Sequence, residues 1–173
     1  SIHEVLIKNE SCQKRLILKS NNIQNDWELL MNNLRNFELI IAAGGIVENN
    51  SKEWLFIFRN AVWDLPKGKV EKNEKLEVAA EREISEECGL SEMRLDSFIS
   101  TTHHMYYENG IIKLKETHWF LFYSSQSKNL KPQLEEGITN LKWVSSNDLK
   151  DVLSNSFFSI QELVKIYLLH HRV

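Results

Sequence analysis

The chain has 173 residues, enough for about one domain with its own core. Its 21 basic and 24 acidic side chains leave a net charge of −3, with 42% of residues hydrophobic and 26% charged. That balance excludes a disordered chain, a collagen-like chain and a long coiled coil, and it argues against a broad nucleic-acid-binding surface, which needs a basic excess. Two cysteines, Cys12 and Cys88, are too few for a disulfide framework, and no CxxC pair points to zinc. Each reads as a small, half-buried hydrophobe. No stretch of about 18 apolar residues is present to span a membrane. The opening SIHEVLIKNES lacks the long apolar run of a signal peptide, so a cytoplasmic protein is the expectation.

In chain order, HEVLIKN and KRLILKS read as two short strands around the polar turn NESCQ. Residues 26–35 read as a short amphipathic helix, with Trp27, Leu30, Met31 and Leu34 on one side. FELIIAAGGIVEN is apolar almost throughout, as in a central strand buried on both faces, and EWLFIFRN follows it as the second strand of a hairpin. AVWDLPKGKVEKNE reads as a loop shaped by Pro and Gly. Residues 75–88 form the strongest helix, closed by Gly89. MRLDSFISTTHH and IIKLKETHWFLFYSS are strands around the turn YENG, KNLKPQLEEG is a loop, and ITNLKWVS is the last strand. Asn147 or Ser146 is placed to cap DLKDVL, and FFSIQELVKIYLL is a terminal amphipathic helix. The expected fold is α+β, a mixed sheet between helical layers.

The informative stretch runs from Gly68 to Leu90. On a helix at 100° per residue, Leu76, Ala79, Ala80, Glu86 and Glu87 all fall within about 60° of Glu83, while Glu77, Glu81 and Ser85 point away. The inward stripe therefore starts apolar and ends in three carboxylates. Glu83 repels Glu86 and Glu87 at i,i+3 and i,i+4 spacing. Partial burial adds a desolvation cost, and the C-terminal end of the helix dipole disfavours negative charge. A solvated acidic face is the competing explanation. A hard divalent cation, Mg²⁺ or Mn²⁺, removes all three objections because oxygen ligands suit it.

This stretch resembles the signature of the Nudix hydrolases, G-x5-E-x7-R-E-U-x-E-E-x-G-U with U aliphatic. Gly68, Glu74, Arg82, Glu83, Ile84, Glu86, Glu87, Gly89 and Leu90 match every fixed position. The flanking strand pattern extends the resemblance over residues 37–153. The chain then divides into an N-terminal strand and helix extension, 1–36, packed on the core, and a Nudix domain, 37–173. The resemblance implies an α/β/α sandwich with a mixed sheet and a loop–helix–loop catalytic motif. It implies Mg²⁺-dependent hydrolysis of a pyrophosphate bond in a nucleoside diphosphate linked to another moiety, such as a dinucleoside polyphosphate or nucleotide sugar. By position, Glu83, Glu86 and Glu87 are the implied metal ligands, joined by a main-chain carbonyl beside Gly68, that of Lys67. Arg82 and Glu74 form the implied ion pair that holds the box loop to the helix, and Gly68 is the implied tight-turn glycine.

Outside the box, the family's further glutamate, a base or metal ligand, falls on Glu135 or Glu136, with Glu136 preferred. Arg59 ends the strand before the box and is placed to reach substrate phosphates, unless it is a surface arginine. Lys67 stands where a glycine is commoner, in a PKG sequence resembling the branches that act on dinucleoside polyphosphates and diphosphoinositol polyphosphates. Trp63 sits where the family often packs a bulky residue under the box loop, so a structural role competes with a substrate contact. His103, His104, Tyr106 and Tyr107 cluster in one hairpin with Lys113, Lys115 and His118 opposite. Rings and cations of this kind can stack a base and hold phosphates, which makes His104 and Lys115 substrate-binding candidates. The expected partner is a small nucleotide-like diphosphate, with no stable nucleic-acid complex, no membrane association, and homodimerisation left open. The competing function is a catalytically silent Nudix domain that senses a nucleotide ligand or regulates a partner.

Overall fold

A computed structural model describes residues 2–9, 12–19, 38–109 and 111–171. The helix expected at 26–35 lies outside these residues. The chain divides into two compact units, Ser1–Ile40 with His103–Lys115, and Ile41–Thr102 with Glu116–Val173. The first unit, which joins residues 1–40 with residues 103–115, holds strands β1 (Ile2–Asn9) and β2 (Cys12–Lys19), paired antiparallel from Ile2 opposite Lys19 to Asn9 opposite Cys12.

The remaining strands among the described residues form a mixed seven-stranded sheet. They are β3 (Glu38–Asn49), β4 (Trp54–Arg59), β5 (Val62–Asp64), β6 (Lys67–Lys69), β7 (Arg94–Glu108), β8 (Ile111–Ser124) and β9 (Ile138–Val144). The order is β5-β4-β3-β8-β7, with β6 paired to β3 and β9 to β4. The helices are α1 (Leu76–Cys88), α2 (Leu149–Ser154) and α3 (Phe158–His171), and a 3-10 turn, η1, covers Leu134–Glu136.

Strand periodicity explains the layers. Leu55 and Ile57 of β4, with Phe120 and Phe122 of β8, join Ala79, Ala80, Ile84 and Cys88 of α1 in one buried cluster. Their neighbours Trp54, Phe56, Trp119 and Leu121 join Val152 of α2 and Ile160, Leu163 and Val164 of α3 in a second. Alternate side chains of one strand face opposite sides, so each strand feeds both cores. This is the expected sheet between helical layers.

The structure corrects three local expectations. Residues 61–74 are not simply a loop, because β5 pairs with β4 and β6 with β3. Gly68 lies inside β6 opposite Ala43 rather than in a tight turn. Neither Ser146 nor Asn147 caps α2. Asp148 occupies that position, and its carboxylate accepts a hydrogen bond from Ser145 at 3.0 Å.

Candidate active site

Two alanines let α1 lie close on the sheet, and its last turn carries the acids. Burial along that turn is graded. Glu87 is buried, the Glu83 side chain is 14% exposed, and that of Glu86 is 48% exposed at the rim. The inward stripe centres on Ala80, Ile84 and Glu87 rather than on Glu83, because Ile84 and Cys88 carry the larger apolar burial. Gly89 ends the helix at φ 66°, a left-handed conformation that costs glycine little. The amides of Lys131 and Gln133 then donate to the carbonyls of Cys88 and Glu87 at 2.9 and 3.2 Å. These bonds satisfy the end of the helix and tie the segment leading to Glu136 against it.

Arg82 gathers three carboxylates. Its Nε and Nη2 donate to the two oxygens of Glu74, both at 2.9 Å, a bidentate grip. Its Nη1 donates to Glu83 at 2.8 Å and to Glu86 at 3.1 Å, and Nη2 also reaches the Lys69 carbonyl at 3.0 Å. The Glu71 amide donates to Glu74, so the loop before α1 closes on the same arginine. The Arg82 hydrogen bonds, helped by that amide, hold the Glu74 carboxyl down at about 2. Desolvation acts the other way on Glu83 and raises its pKa although Arg82 opposes this.

Glu87 lies deeper. Its Oε2 accepts the Lys67 amide at 2.8 Å, and Arg59 Nη1 stands 3.6 Å from Oε1. Burial nevertheless pushes its pKa up to about 7, with Lys67 and Arg59 offsetting only part of the cost. Arg59 also lies 3.8 Å from Glu136, whose side chain is 59% exposed. One arginine therefore stands between the buried acid of α1 and the exposed acid of η1.

Residues 38–162, more than half of the chain, match the model of the NUDIX domain. The chain belongs to the Nudix family. It is a hydrolase of that family, acting on phosphoanhydride bonds. Solved structures share the fold. A MutT protein from Methanosarcina mazei Go1 is 20% identical, with a TM-score of 0.59 over 79% of this chain and 98% of that one. An Ap4A hydrolase from C. elegans, in a binary complex, is 19% identical, with a TM-score of 0.60 over 76% and 96%. A bifunctional NMN adenylyltransferase/ADP-ribose pyrophosphatase from Francisella tularensis, solved with AMP and a manganese ion, is 17% identical, with a TM-score of 0.55 over 85% of this chain and 47% of that one.

The structure brings Glu74, Arg82, Glu83 and Glu86 of the Nudix box into one hydrogen-bonded group, and Glu87, Lys67, Arg59 and Glu136 into a neighbouring run of contacts. It does not bring Trp63 there. Trp63 pairs across the ladder with Phe58, their rings 4.9 Å apart, and packs with the α2–α3 core on the opposite face of the sheet. His104 and Lys115 belong to the first compact unit, where the His104 ring stacks on Tyr106 at 5.8 Å. The Lys67 ammonium does not stand open to a phosphate, because it is paired with Asp64. Sequence reasoning passed over Asp64, a buried acid 1% exposed, because its partner Lys67 lies on a different strand.

Gly68 has a different reason for being glycine from the turn expected of it. A Cβ there would overlap the Glu83 carboxylate. The φ of Gly68 is not positive, so alanine fits the backbone. The obstructing atoms sit at the far end of a flexible side chain, where Arg82 holds them by a 2.8 Å hydrogen bond. Gly68→Ala is therefore expected to fold with a stability loss of about 1–3 kcal/mol, as Glu83 swings aside from Arg82. Glu83 is one of the three metal ligands that the sequence resemblance implies, so displacing its carboxylate is expected to cost about 10–100-fold in divalent-metal affinity. Thermal melts beside a metal titration check this, and unchanged metal affinity would contradict it.

Proposed function

We propose that the chain hydrolyses a pyrophosphate bond in a nucleoside diphosphate linked to another moiety, using Mg²⁺, or Mn²⁺ in its place. The observation that carries this reading is Glu87, a carboxylate buried at the wrong end of a helix dipole, with its positive neighbours compensating only part of the cost. Nudix hydrolases generally use divalent metals. Among the described residues no three acidic, histidine or cysteine side chains are gathered as a preformed cage. The donor chemistry nevertheless fits a hard divalent cation, because every candidate ligand is an oxygen and Glu87 is only partly compensated by Lys67 and Arg59. Glu83, Glu86, Glu87 and the Lys67 carbonyl are the residues that would hold it.

When bound, such a cation supplies charge neutralisation at the phosphates and a more acidic water. The residues of the chain divide the remaining work. Arg82 fixes Glu83 and Glu86 from one side and, through Glu74, clamps the loop that precedes them. The Lys67 amide orients Glu87. Arg59 stands where it can meet a substrate phosphate in exchange for its contact with the exposed Glu136, which leaves Glu136 as the candidate base for an attacking water. Water adds to one phosphorus, the bridging P–O bond breaks, and two phosphate-ended products leave. The Ap4A hydrolase and the ADP-ribose pyrophosphatase among the fold relatives act on small nucleotide-like compounds and support this substrate class.

A phosphate-release screen over dinucleoside polyphosphates, nucleotide sugars and diphosphoinositol polyphosphates with Mg²⁺ tests the reading. Mass spectrometry of products formed in ¹⁸O water then identifies the attacked phosphorus. Metal-dependent cleavage of a nucleoside-containing compound is expected. Cleavage confined to compounds without a nucleoside would overturn the substrate class.

A further inference from the structure

We propose that Asp64 is a positioning residue for Glu87, acting through Lys67. The inference rests on the reading of Glu87 as a metal ligand. Asp64 lies on β5 opposite Ile57, whose side chain joins the α1 core, so Asp64 faces α1. It is 1% exposed. One of its oxygens accepts the Leu65 amide at 2.8 Å, and the other holds the Lys67 ammonium, on a side chain itself only 11% exposed. Lys67 in turn donates its amide to Glu87 at 2.8 Å.

The segment between them has little freedom. Pro66 fixes one φ, and its carbonyl accepts the Gly45 amide at 3.1 Å. Gly44 and Lys67 are ladder partners, and a Cβ on Gly44 would overlap the Pro66 oxygen and the Lys67 side chain. The turn is thus pressed against β3 on one side and hydrogen-bonded to α1 on the other. Two buried charges of opposite sign hold each other, since neither can be left alone without a large desolvation cost. Asp64 holds the ammonium, whose charge still offsets part of the cost of burying Glu87, and the Lys67 amide supplies the hydrogen bond. Arg59, 3.6 Å from Glu87, is the other cation on this acid.

The test uses Asp64→Asn, Lys67→Met and the double variant in the full chain. Mn²⁺ binding is followed by electron paramagnetic resonance without substrate, beside thermal melts and steady-state kinetics. Each single variant is expected to bind Mn²⁺ about 10–100-fold more weakly, as loss of a residue that orients a metal ligand does. Each is also expected to lower kcat, with KM within about threefold of wild type. The double variant leaves neither charge buried alone, so it is expected to regain thermal stability while its Mn²⁺ affinity stays low. Recovery of metal affinity together with stability would show a merely structural pair and overturn the proposal. So would wild-type Mn²⁺ affinity in a folded single variant, or a raised KM with unchanged kcat in Lys67→Met, the mark of a phosphate grip. Should Asp64→Asn not fold, Lys67→Met and the double variant carry the same comparison. A wild-type protein that bound no Mn²⁺ would overturn the metal-site reading itself, whereas normal wild-type binding with unaffected variants would overturn this inference alone.

Discussion

Glu87→Gln is expected to make the metal-free protein more stable at pH 8 while cutting turnover by about 10²–10⁴-fold. Burial lifts the Glu87 pKa from 4.5 to about 7 in the folded chain. Between those two values the native state holds a proton that the unfolded chain has lost, so stability falls as pH rises through the window. Well above pH 7 the full cost is present, about 3 kcal/mol for a rise of about 2.5 units at 1.36 kcal/mol per unit. Glutamine keeps the shape and removes the charge, so the variant is expected to lose this part of the pH dependence. Mg²⁺ is expected to stabilise the wild type and to lose most of that effect in the variant, because ligand stabilisation follows preferential binding to the folded state. Melting curves at pH 5 and pH 8, with and without Mg²⁺, beside turnover, check all of this. A variant melting several degrees below wild type at pH 8 would mean that Glu87 is structurally paired in its charged form. Near-wild-type turnover would hand its role to another acid, such as Glu136.

Arg82→Ala is the second large effect. One guanidinium serves Glu74, Glu83 and Glu86, and its side chain is only 25% exposed. Removing it leaves three carboxylates facing one another without their shared cation and frees the loop before α1. Breaking a deeply buried pair costs more, and partial exposure here reduces the expected stability loss to about 2 kcal/mol. Turnover is expected to fall by about 10–100-fold through misplaced ligands. Lysine offers one point charge where Arg82 offers a planar fork, so Arg82→Lys should keep part of the stability and little of the alignment. Wild-type melting and wild-type Mg²⁺ dependence in Arg82→Ala would show that the acids hold their places without it.

The parts of this molecule that were legible in its sequence share a short-range physical cause. The nearly unbroken apolar run FELIIAAGGIVEN announced a strand buried on both faces, and β3 sends Ala43 and Val47 to one core and Ile46 to the other. The spacing of Glu74 to Arg82 and of Glu83 to Glu87 placed the box on α1 and its loop, and the structure draws Arg82 onto Glu74, Glu83 and Glu86. What was missed depends on which distant strands meet. β5 and β6 are three-residue strands with no periodicity of their own, and they are ordered by pairing with β4 and β3. Gly68 looked like a turn residue because its crowding comes from Glu83 on another element. Lys67 looked like a phosphate ligand because nothing in a linear reading says that Asp64 is buried beneath it. Trp63 looked adjacent to the box, yet the two-residue period of β5 turns it to the other face of the sheet.

The most direct test of the central claim is the anomalous scattering of crystals soaked in Mn²⁺. A peak is expected within about 2.0–2.6 Å of carboxylate oxygens from at least two of Glu83, Glu86 and Glu87. A protein that cleaves its best substrate with Mn²⁺ but shows no peak at these three acids, or a peak held by other residues, would contradict it.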